Sequence, residues 1–258
     1  MQNQAETKSS LNLLLLASAV TLILWFIPFA EVITYPIRLF VTFIHEGGHA
    51  LATLLSFGSV REIELYPNGS GVTVTEGGFR LLISSAGYLS TTLYGAALLL
   101  LLRKQASGKS IAIVTAILMV LLTVFWGGNW LMWLTGLILG VGFLALGVKA
   151  KPRITHFVMS FLAVQCILNA FYDLKTLLYL SAFSPAVHTD AKNMTEATGN
   201  FIPSVVWGII WAFISVLMLG VTLLVYYRSL KAKSKVDAID MPVALLPEAF
   251  DKIMEKRL

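Results

Sequence analysis

Two histidines and a glutamate stand together in the segment His45-Glu46-Gly47-Gly48-His49, which lies inside a long apolar run. If this run is helical, the two imidazoles are four residues apart and project from the same face. Histidines at this spacing, with a glutamate directly after the first, are typical of a zinc site whose glutamate acts as a general base. An ionisable side chain at the centre of a bilayer costs at least about 2.5 kcal/mol when unpaired, so three of them within five positions favour a function.

The two glycines of this segment allow two interpretations. Each weakens a helix by up to about 1 kcal/mol relative to alanine. Gly47 and Gly48 could leave room for a substrate backbone beside the metal, or they could let a neighbouring helix pack closely.

A catalytic zinc usually has three protein ligands and one open position. The best candidate for the third ligand is Asp173, which forms a polar stripe with Cys166 and Asn169 at spacings of three and four. If the two helices are parallel, Asp173 and the histidine pair both lie about 15 Å from the same membrane surface. Asp190 and His188, in the polar segment that follows, are the alternative ligands. Asn169 is a candidate catalytic residue that could bind the oxyanion, with an interhelical hydrogen bond as the alternative.

The composition sets the class of protein. The chain has 258 residues, of which 57% are hydrophobic and 13% charged, and its mean hydropathy is +0.79. Soluble domains carry about 25% charged residues, so this composition indicates a membrane protein in contact with the lipid bilayer. The net charge of +5 does not indicate nucleic-acid binding, because the Lys and Arg residues stand in short clusters between apolar runs. The single cysteine excludes an intrachain disulfide and a Cys-rich metal site.

Seven apolar stretches are long enough, or nearly so, to cross about 30 Å of hydrocarbon. They cover residues 11–30, 33–57, 79–102, 110–126, 130–148, 154–183 and 202–227. Between the second and third, alternating β-branched runs flank Pro67-Asn68-Gly69-Ser70 and predict a β-hairpin. We therefore predict an all-α polytopic membrane protein with about six to seven transmembrane helices and one short β-hairpin after the HEGGH helix. Residues 1–235 are expected to form a single membrane-embedded peptidase domain, and residues 236–258 a cytoplasmic or interfacial C-terminal tail.

Three basic clusters, each separated from the next by two predicted spans, must lie on one side of the membrane. They are Arg103-Lys104-Lys109, Lys149-Lys151-Arg153 and Arg228-Lys231-Lys233-Lys235. The positive-inside rule makes that side cytoplasmic and puts the predicted hairpin on the opposite side.

The sequence resembles the site-2 protease family of intramembrane zinc metallopeptidases, in particular its compact bacterial branch without added domains. Four segments carry the resemblance: Phe43-Ile44-His45-Glu46-Gly47-Gly48-His49-Ala50, Pro67-Asn68-Gly69-Ser70-Gly71, Ser85-Ala86-Gly87-Tyr88 and Asn169-Ala170-Phe171-Tyr172-Asp173-Leu174. The better-known members carry prolines and an Asp-Gly pair near the third ligand, whereas here no proline intervenes and Leu174 replaces the glycine.

This resemblance implies that His45, His49 and Asp173 bind Zn²⁺ and that Glu46 is the base. It also implies transmembrane protein substrates and a hairpin on the cytoplasmic side, in contrast to the basic clusters. We expect a multi-pass integral protein of the cell membrane. Its expected function is that of an intramembrane zinc metalloprotease, which hydrolyses a peptide bond in or near a transmembrane segment of a membrane-anchored substrate. A non-catalytic zinc-binding sensor or scaffold and a metal-ion transporter are the alternatives. The oligomeric state is unknown from the sequence.

Overall fold

Helices make up most of the computed structural model, which describes residues 2–24, 27, 29–103, 107–184 and 187–239. The elements in chain order are α1 (Gln2–Leu24), α2 (Ala30–Leu55), β1 (Ser59–Leu65), β2 (Gly71–Glu76), α3 (Arg80–Leu101), α4 (Ser107–Trp126), α5 (Trp130–Lys149), α6 (Pro152–Phe183), α7 (Asp190–Ala197) and α8 (Ser204–Ile239). The predicted fold class, an all-α membrane protein with one hairpin after the HEGGH helix, is confirmed. The tail from residue 240 onward lies outside the described residues, so the division at residue 235 stays a prediction.

Among the described residues, five helices are long and apolar enough to cross a membrane, slightly fewer than the six to seven predicted. They are α3, α4, α5, α6 and the first part of α8, residues Ser204–Ser229. Helix α2 is not among them because it carries charged and polar side chains at Arg38, His45, Glu46 and His49. It packs against α3, α5 and α6, so the bundle provides partners for these polar groups.

The hairpin folds back along α2, and hydrogen bonds fix it there. Its turn bends through Gly69, whose φ of +81° lies in the left-handed region that glycine adopts at no steric cost. The Tyr35 hydroxyl donates to the Pro67 carbonyl (2.9 Å), and the Thr42 hydroxyl donates to the Gly69 carbonyl (2.7 Å). The hairpin is therefore held to the helix that carries the HEGGH segment.

The outer edge of β1 is occupied by the connection between α4 and α5. The Gly128 N–H donates to the Ile63 carbonyl at 2.8 Å. The Asn129 amide imitates a peptide group, because its Nδ2 donates to the Leu65 carbonyl (2.7 Å) and its Oδ1 accepts from the Leu65 N–H (3.4 Å). The same Oδ1 accepts from the Met132 N–H (2.9 Å) and so caps the start of α5. One side chain thus joins the hairpin to the helix bundle.

We predict that Asn129→Ala loosens the hairpin and lowers the stability of the protein. The change leaves two backbone groups of Leu65 unpaired and removes the cap of α5, for which we expect a loss of about 1–3 kcal/mol. Hydrogen–deuterium exchange of the detergent-solubilised protein should show faster exchange in residues 63–65. Asn129→Asp keeps the acceptor oxygen and loses the donor, so its effect should be intermediate; equal exchange in all three proteins would contradict this role.

Candidate metal centre

The two histidines of the HEGGH segment lie on one face of α2, as their spacing predicts. Their ring centroids are 4.9 Å apart, and the side chains of His45 and His49 are 15% and 8% exposed. The Nε2 atoms of both rings point toward one carboxylate oxygen, Oδ2 of Asp190, at 3.3 Å from His45 and 3.4 Å from His49. Two imidazoles and one carboxylate therefore converge on one point.

Asp190 reaches this point because it opens the short helix α7. Thr189 is the N-cap of α7, and its hydroxyl accepts a hydrogen bond from the Lys192 N–H (3.3 Å). A carboxylate in the first turn of a helix is also favoured by the helix dipole. Burial alone would raise the pKa of Asp190, but His49 and His45 outweigh it and hold this pKa below its ordinary value. A lowered pKa favours the deprotonated carboxylate, which is the form that binds a metal ion.

The other nitrogen of His49 fixes the orientation of its ring. Nδ1 lies 2.6 Å from the carbonyl oxygen of Ile83 in α3. A carbonyl oxygen only accepts, so Nδ1 donates to it and Nε2 is the nitrogen that faces Asp190. A metal-bound histidine is usually held by a hydrogen bond of this kind.

Helix α3 approaches the histidine pair through a glycine. A methyl group added to Gly87 would overlap the Nε2 atoms of both His45 and His49. The next residue, Tyr88, contacts the His45 ring edge-to-face, with centroids 4.7 Å apart. Tyr88 is in turn stacked on Trp211 of α8 at 5.3 Å. Small and aromatic residues of α3 thus set the positions of the two rings.

The glycines inside the HEGGH segment serve close helix packing. A methyl group on Gly48 would overlap the Ser90 side chain and come within 2.9 Å of the Ala86 carbonyl oxygen in α3. One on Gly47 would come within 2.9 Å of Leu122 in α4. Of the two interpretations of these glycines, the structure supports the packing of neighbouring helices.

Glu46 is buried and is held by the hairpin. The residue is only 4% exposed. The Thr73 hydroxyl lies 2.7 Å from the carboxylate oxygen Oε2 and 3.0 Å from the backbone carbonyl of Glu46. Gly71 lies so close that a methyl group there would come within 2.8 Å of Oε1. Strand β2 therefore fixes the orientation of the carboxylate.

A cavity of about 680 Å³ lies between α2, β2, α3, α6 and α7. Both histidines of the pair, Glu46 and Asp190 line it. So do Asn169, Asp173 and His188, the remaining residues that the sequence singled out. The cavity thus brings every candidate site residue to one space, but not all of them to the same point.

Among the described residues, the group with ligand atoms within 4.8 Å of one another consists of His45, His49 and Asp190. Asp173 lines the cavity without belonging to this group, so its role as the third metal ligand stays a prediction. The Asn169 amide donates to the Gln165 carbonyl one turn earlier in α6 (2.9 Å), and its catalytic role likewise stays a prediction. The acid that the structure brings to the histidine pair is Asp190, one of the two alternative ligands that the sequence offered in the polar segment after the sixth span.

We predict that Gly87→Ala abolishes metal binding, because the added methyl group overlaps both ligand nitrogens. Metal content per purified chain is the measurement. Gly142→Ala in α5 is the control, since nothing lies within 4 Å of a methyl group there, and it should bind metal as the wild type does. Metal retained at the wild-type level in Gly87→Ala would show that α3 does not approach the histidines so closely.

The Peptidase M50B-like family matches residues 15–222, which include every residue of this centre. Neither a curated protein nor a solved structure matches the chain. Because the family match covers most of the 258 residues, the chain belongs to the Peptidase M50B-like family, and it is a membrane metallopeptidase of the site-2 protease kind.

Proposed function

We propose that the protein is an intramembrane zinc metalloprotease, which hydrolyses a peptide bond in or near a transmembrane segment of a membrane-anchored substrate. It would be a multi-pass protein of the cell membrane. One observation carries the proposal. The Nε2 atoms of His45 and His49 face the same oxygen of Asp190, and the buried Glu46 carboxylate lines the same cavity.

The donor set fits a divalent cation. The Nδ1 atom of His49 donates to the Ile83 carbonyl, so its Nε2 faces Asp190 either as a donor to the carboxylate or, once its proton is lost, as a metal ligand beside it. A divalent cation bound here would take the place of that proton. Two imidazole nitrogens and one carboxylate oxygen are the ligands of many catalytic zinc sites, which keep a further position open. Zinc bound here would supply Lewis acidity, which polarises a carbonyl and makes water a better nucleophile at neutral pH.

Glu46 is the residue that we expect to move the proton. Its carboxylate would accept the proton of the attacking water and then donate it to the nitrogen of the leaving amine. The Thr73 hydroxyl, 2.7 Å from Oε2, holds the carboxylate in one orientation for both transfers. Catalysis of this kind requires a base at a fixed distance from the reacting atoms. The burial of Glu46 against β2 favours such a fixed position.

Among the described residues no strand pairs with the outer edge of β2, and this edge suits an extended substrate segment. The Tyr66 N–H donates to the Ser70 carbonyl (2.8 Å), which makes this pair a hydrogen-bonded one. In an antiparallel ladder the bonded pairs alternate, so the backbone groups of Gly71 and Thr73 point away from β1. Both residues line the cavity. A substrate helix that unwinds locally could therefore pair with β2 as an added strand, beside the Glu46 carboxylate.

The contact between Glu46 and the hairpin favours hydrolysis over the two alternative functions. A structural zinc site or a sensor needs ligands but no base, and a transporter needs polar residues along a path. Neither function requires a carboxylate that stays off the metal group and is oriented by its own hydroxyl donor, Thr73.

We predict about one zinc per chain in the purified wild type, since the site has one set of three ligands. His45→Ala and Asp190→Ala should lose most of it, because two ligands hold zinc weakly. Asp173→Ala should keep its zinc. Metal analysis of the four proteins decides between the two acids: zinc lost from Asp173→Ala and kept in Asp190→Ala would make Asp173 the ligand. No zinc in the wild type would contradict the metal site.

We predict that Glu46→Gln reduces cleavage about 10²–10⁴-fold, the usual contribution of a general base. Its zinc content should not change, because Glu46 lies outside the ligand group. The assay is cleavage of a single-span model substrate, tagged at both ends and reconstituted with the protein in liposomes. Glu62→Gln on the exposed face of β1 is the matched control and should cleave normally. Equal rates for wild type and Glu46→Gln would exclude Glu46 as the base.

A further inference from the structure

We infer that Tyr88 is a further catalytic residue, whose hydroxyl donates a hydrogen bond to the oxygen of the scissile carbonyl while that oxygen carries negative charge. This role rests on the proposed peptidase function and adds a group that neither the metal ligands nor Glu46 supplies. Tyr88 lines the cavity and contacts the His45 ring edge-to-face. Among the described residues its hydroxyl has no hydrogen-bond partner, so its proton is available to a ligand in the cavity.

Hydrolysis of a peptide bond creates a negative charge that needs stabilisation. The oxygen of water attacks the carbonyl carbon, a proton of this water goes to Glu46, and the π electrons of the carbonyl move to its oxygen. When the bond from carbon to nitrogen breaks, its electron pair leaves with the nitrogen, which takes the proton from Glu46, and the carbonyl forms again. The oxygen is anionic only between these two steps, so a donor aimed at it accelerates the reaction without strengthening the binding of the substrate.

Two aromatic contacts hold the Tyr88 ring in place. On one side it meets the His45 ring, with centroids 4.7 Å apart and planes at 87°. It also stacks on Trp211 of α8, at 5.3 Å and 22°. The Trp211 indole N–H donates to the hydroxyl of Ser85 in α3 (3.1 Å), so the stacking partner is itself fixed. A donor held in this way needs no rearrangement during the reaction.

The surroundings of the Tyr88 hydroxyl place it near the reacting groups. The charges of Asp190, Asp173 and Glu46 all act on this hydroxyl. These carboxylates belong to α7, α6 and α2, and all three line the cavity. Gly87, the residue before Tyr88, lies against the Nε2 atoms of both histidines. The hydroxyl is therefore carried by the part of α3 that contacts the metal ligands.

Other polar groups of the cavity already donate to the protein. The Thr73 hydroxyl donates to Glu46, and the Thr42 hydroxyl donates to a carbonyl of the hairpin turn. The amide of Asn169, the residue that the sequence offered for the oxyanion, donates to a carbonyl one turn earlier in α6 (2.9 Å). The donor of Tyr88 is not used in this way, and a tyrosine hydroxyl keeps its proton at neutral pH.

Tyr88→Phe removes the hydroxyl and keeps the ring against His45 and Trp211, so it isolates the hydrogen bond. With the tagged model substrate in liposomes, we expect kcat to fall about 10²-fold, the effect of losing one such donor, while KM and zinc content stay unchanged. Tyr94→Phe in the same helix is the matched control. It removes a hydroxyl that is bonded to Thr115 (2.7 Å) and does not line the cavity, so it should cleave as the wild type does.

Binding measurements distinguish a catalytic hydroxyl from a structural one. A phosphonamidate peptide carries anionic oxygens on a tetrahedral phosphorus and so resembles the charged oxygen of the reaction. Its affinity should fall about 10²-fold in Tyr88→Phe, in parallel with kcat. The affinity of the uncleaved substrate, measured in the Glu46→Gln background with and without Tyr88→Phe, should not change.

A wild-type kcat in Tyr88→Phe, or equal losses of affinity for the phosphonamidate and the substrate, would overturn the catalytic role of the hydroxyl and leave the peptidase proposal intact. Loss of zinc from Tyr88→Phe would also overturn it, because Tyr88 would then act through the metal ligand His45. A wild type that cleaves nothing and does not bind the phosphonamidate would contradict the peptidase proposal itself, and with it this role.

Discussion

The rest of the structure depends on one constraint: polar groups buried in a helix bundle must find partners inside the protein. An ionisable side chain without a partner is costly in hydrocarbon, and four such groups lie close together around the cavity. His49 is hydrogen-bonded to the Ile83 carbonyl, Glu46 accepts a hydrogen bond from Thr73, and both histidines face Asp190. Each partner comes from a different element, so α3, the hairpin and α7 are all fixed by what α2 carries.

These partners can approach only where small residues allow it. Gly87 lets α3 reach the two imidazoles, and Gly48 lets the same helix reach the backbone of α2. Gly71 lets β2 lie against the Glu46 carboxylate. Membrane helices often use small residues for close packing, and here such residues also determine how near a ligand or base can be to its support.

Local patterns predicted a large part of this arrangement. The four-residue spacing of His45 and His49 fixes their common face in any helix, and the Pro67–Ser70 turn residues fix the hairpin, so both could be predicted without tertiary information. The third ligand could not be treated in this way. The stripe containing Asp173 predicted a metal ligand, and the residue lines the cavity. Whether its carboxylate or that of Asp190 meets the histidines depends on the path of the chain after α6. The path is determined by the capped helix α7, which has eight residues. Its direction cannot be predicted from hydrophobic periodicity.

The cavity explains how the strand edges of the hairpin can be accommodated in a membrane protein. Unpaired strand edges are not tolerated in hydrocarbon, where no water can satisfy the backbone. The edge of β1 is closed by hydrogen bonds to Gly128 and Asn129, which belong to the connection between α4 and α5. The edge of β2 has no strand beside it among the described residues, and the backbone of Gly71 and Thr73 borders the cavity instead. Such an edge is stable only if water fills the cavity, and the same water is the reactant that hydrolysis needs. Closing one edge and leaving the other to water therefore makes the hairpin compatible with a membrane, and it directs any added strand to the side where Glu46 lies.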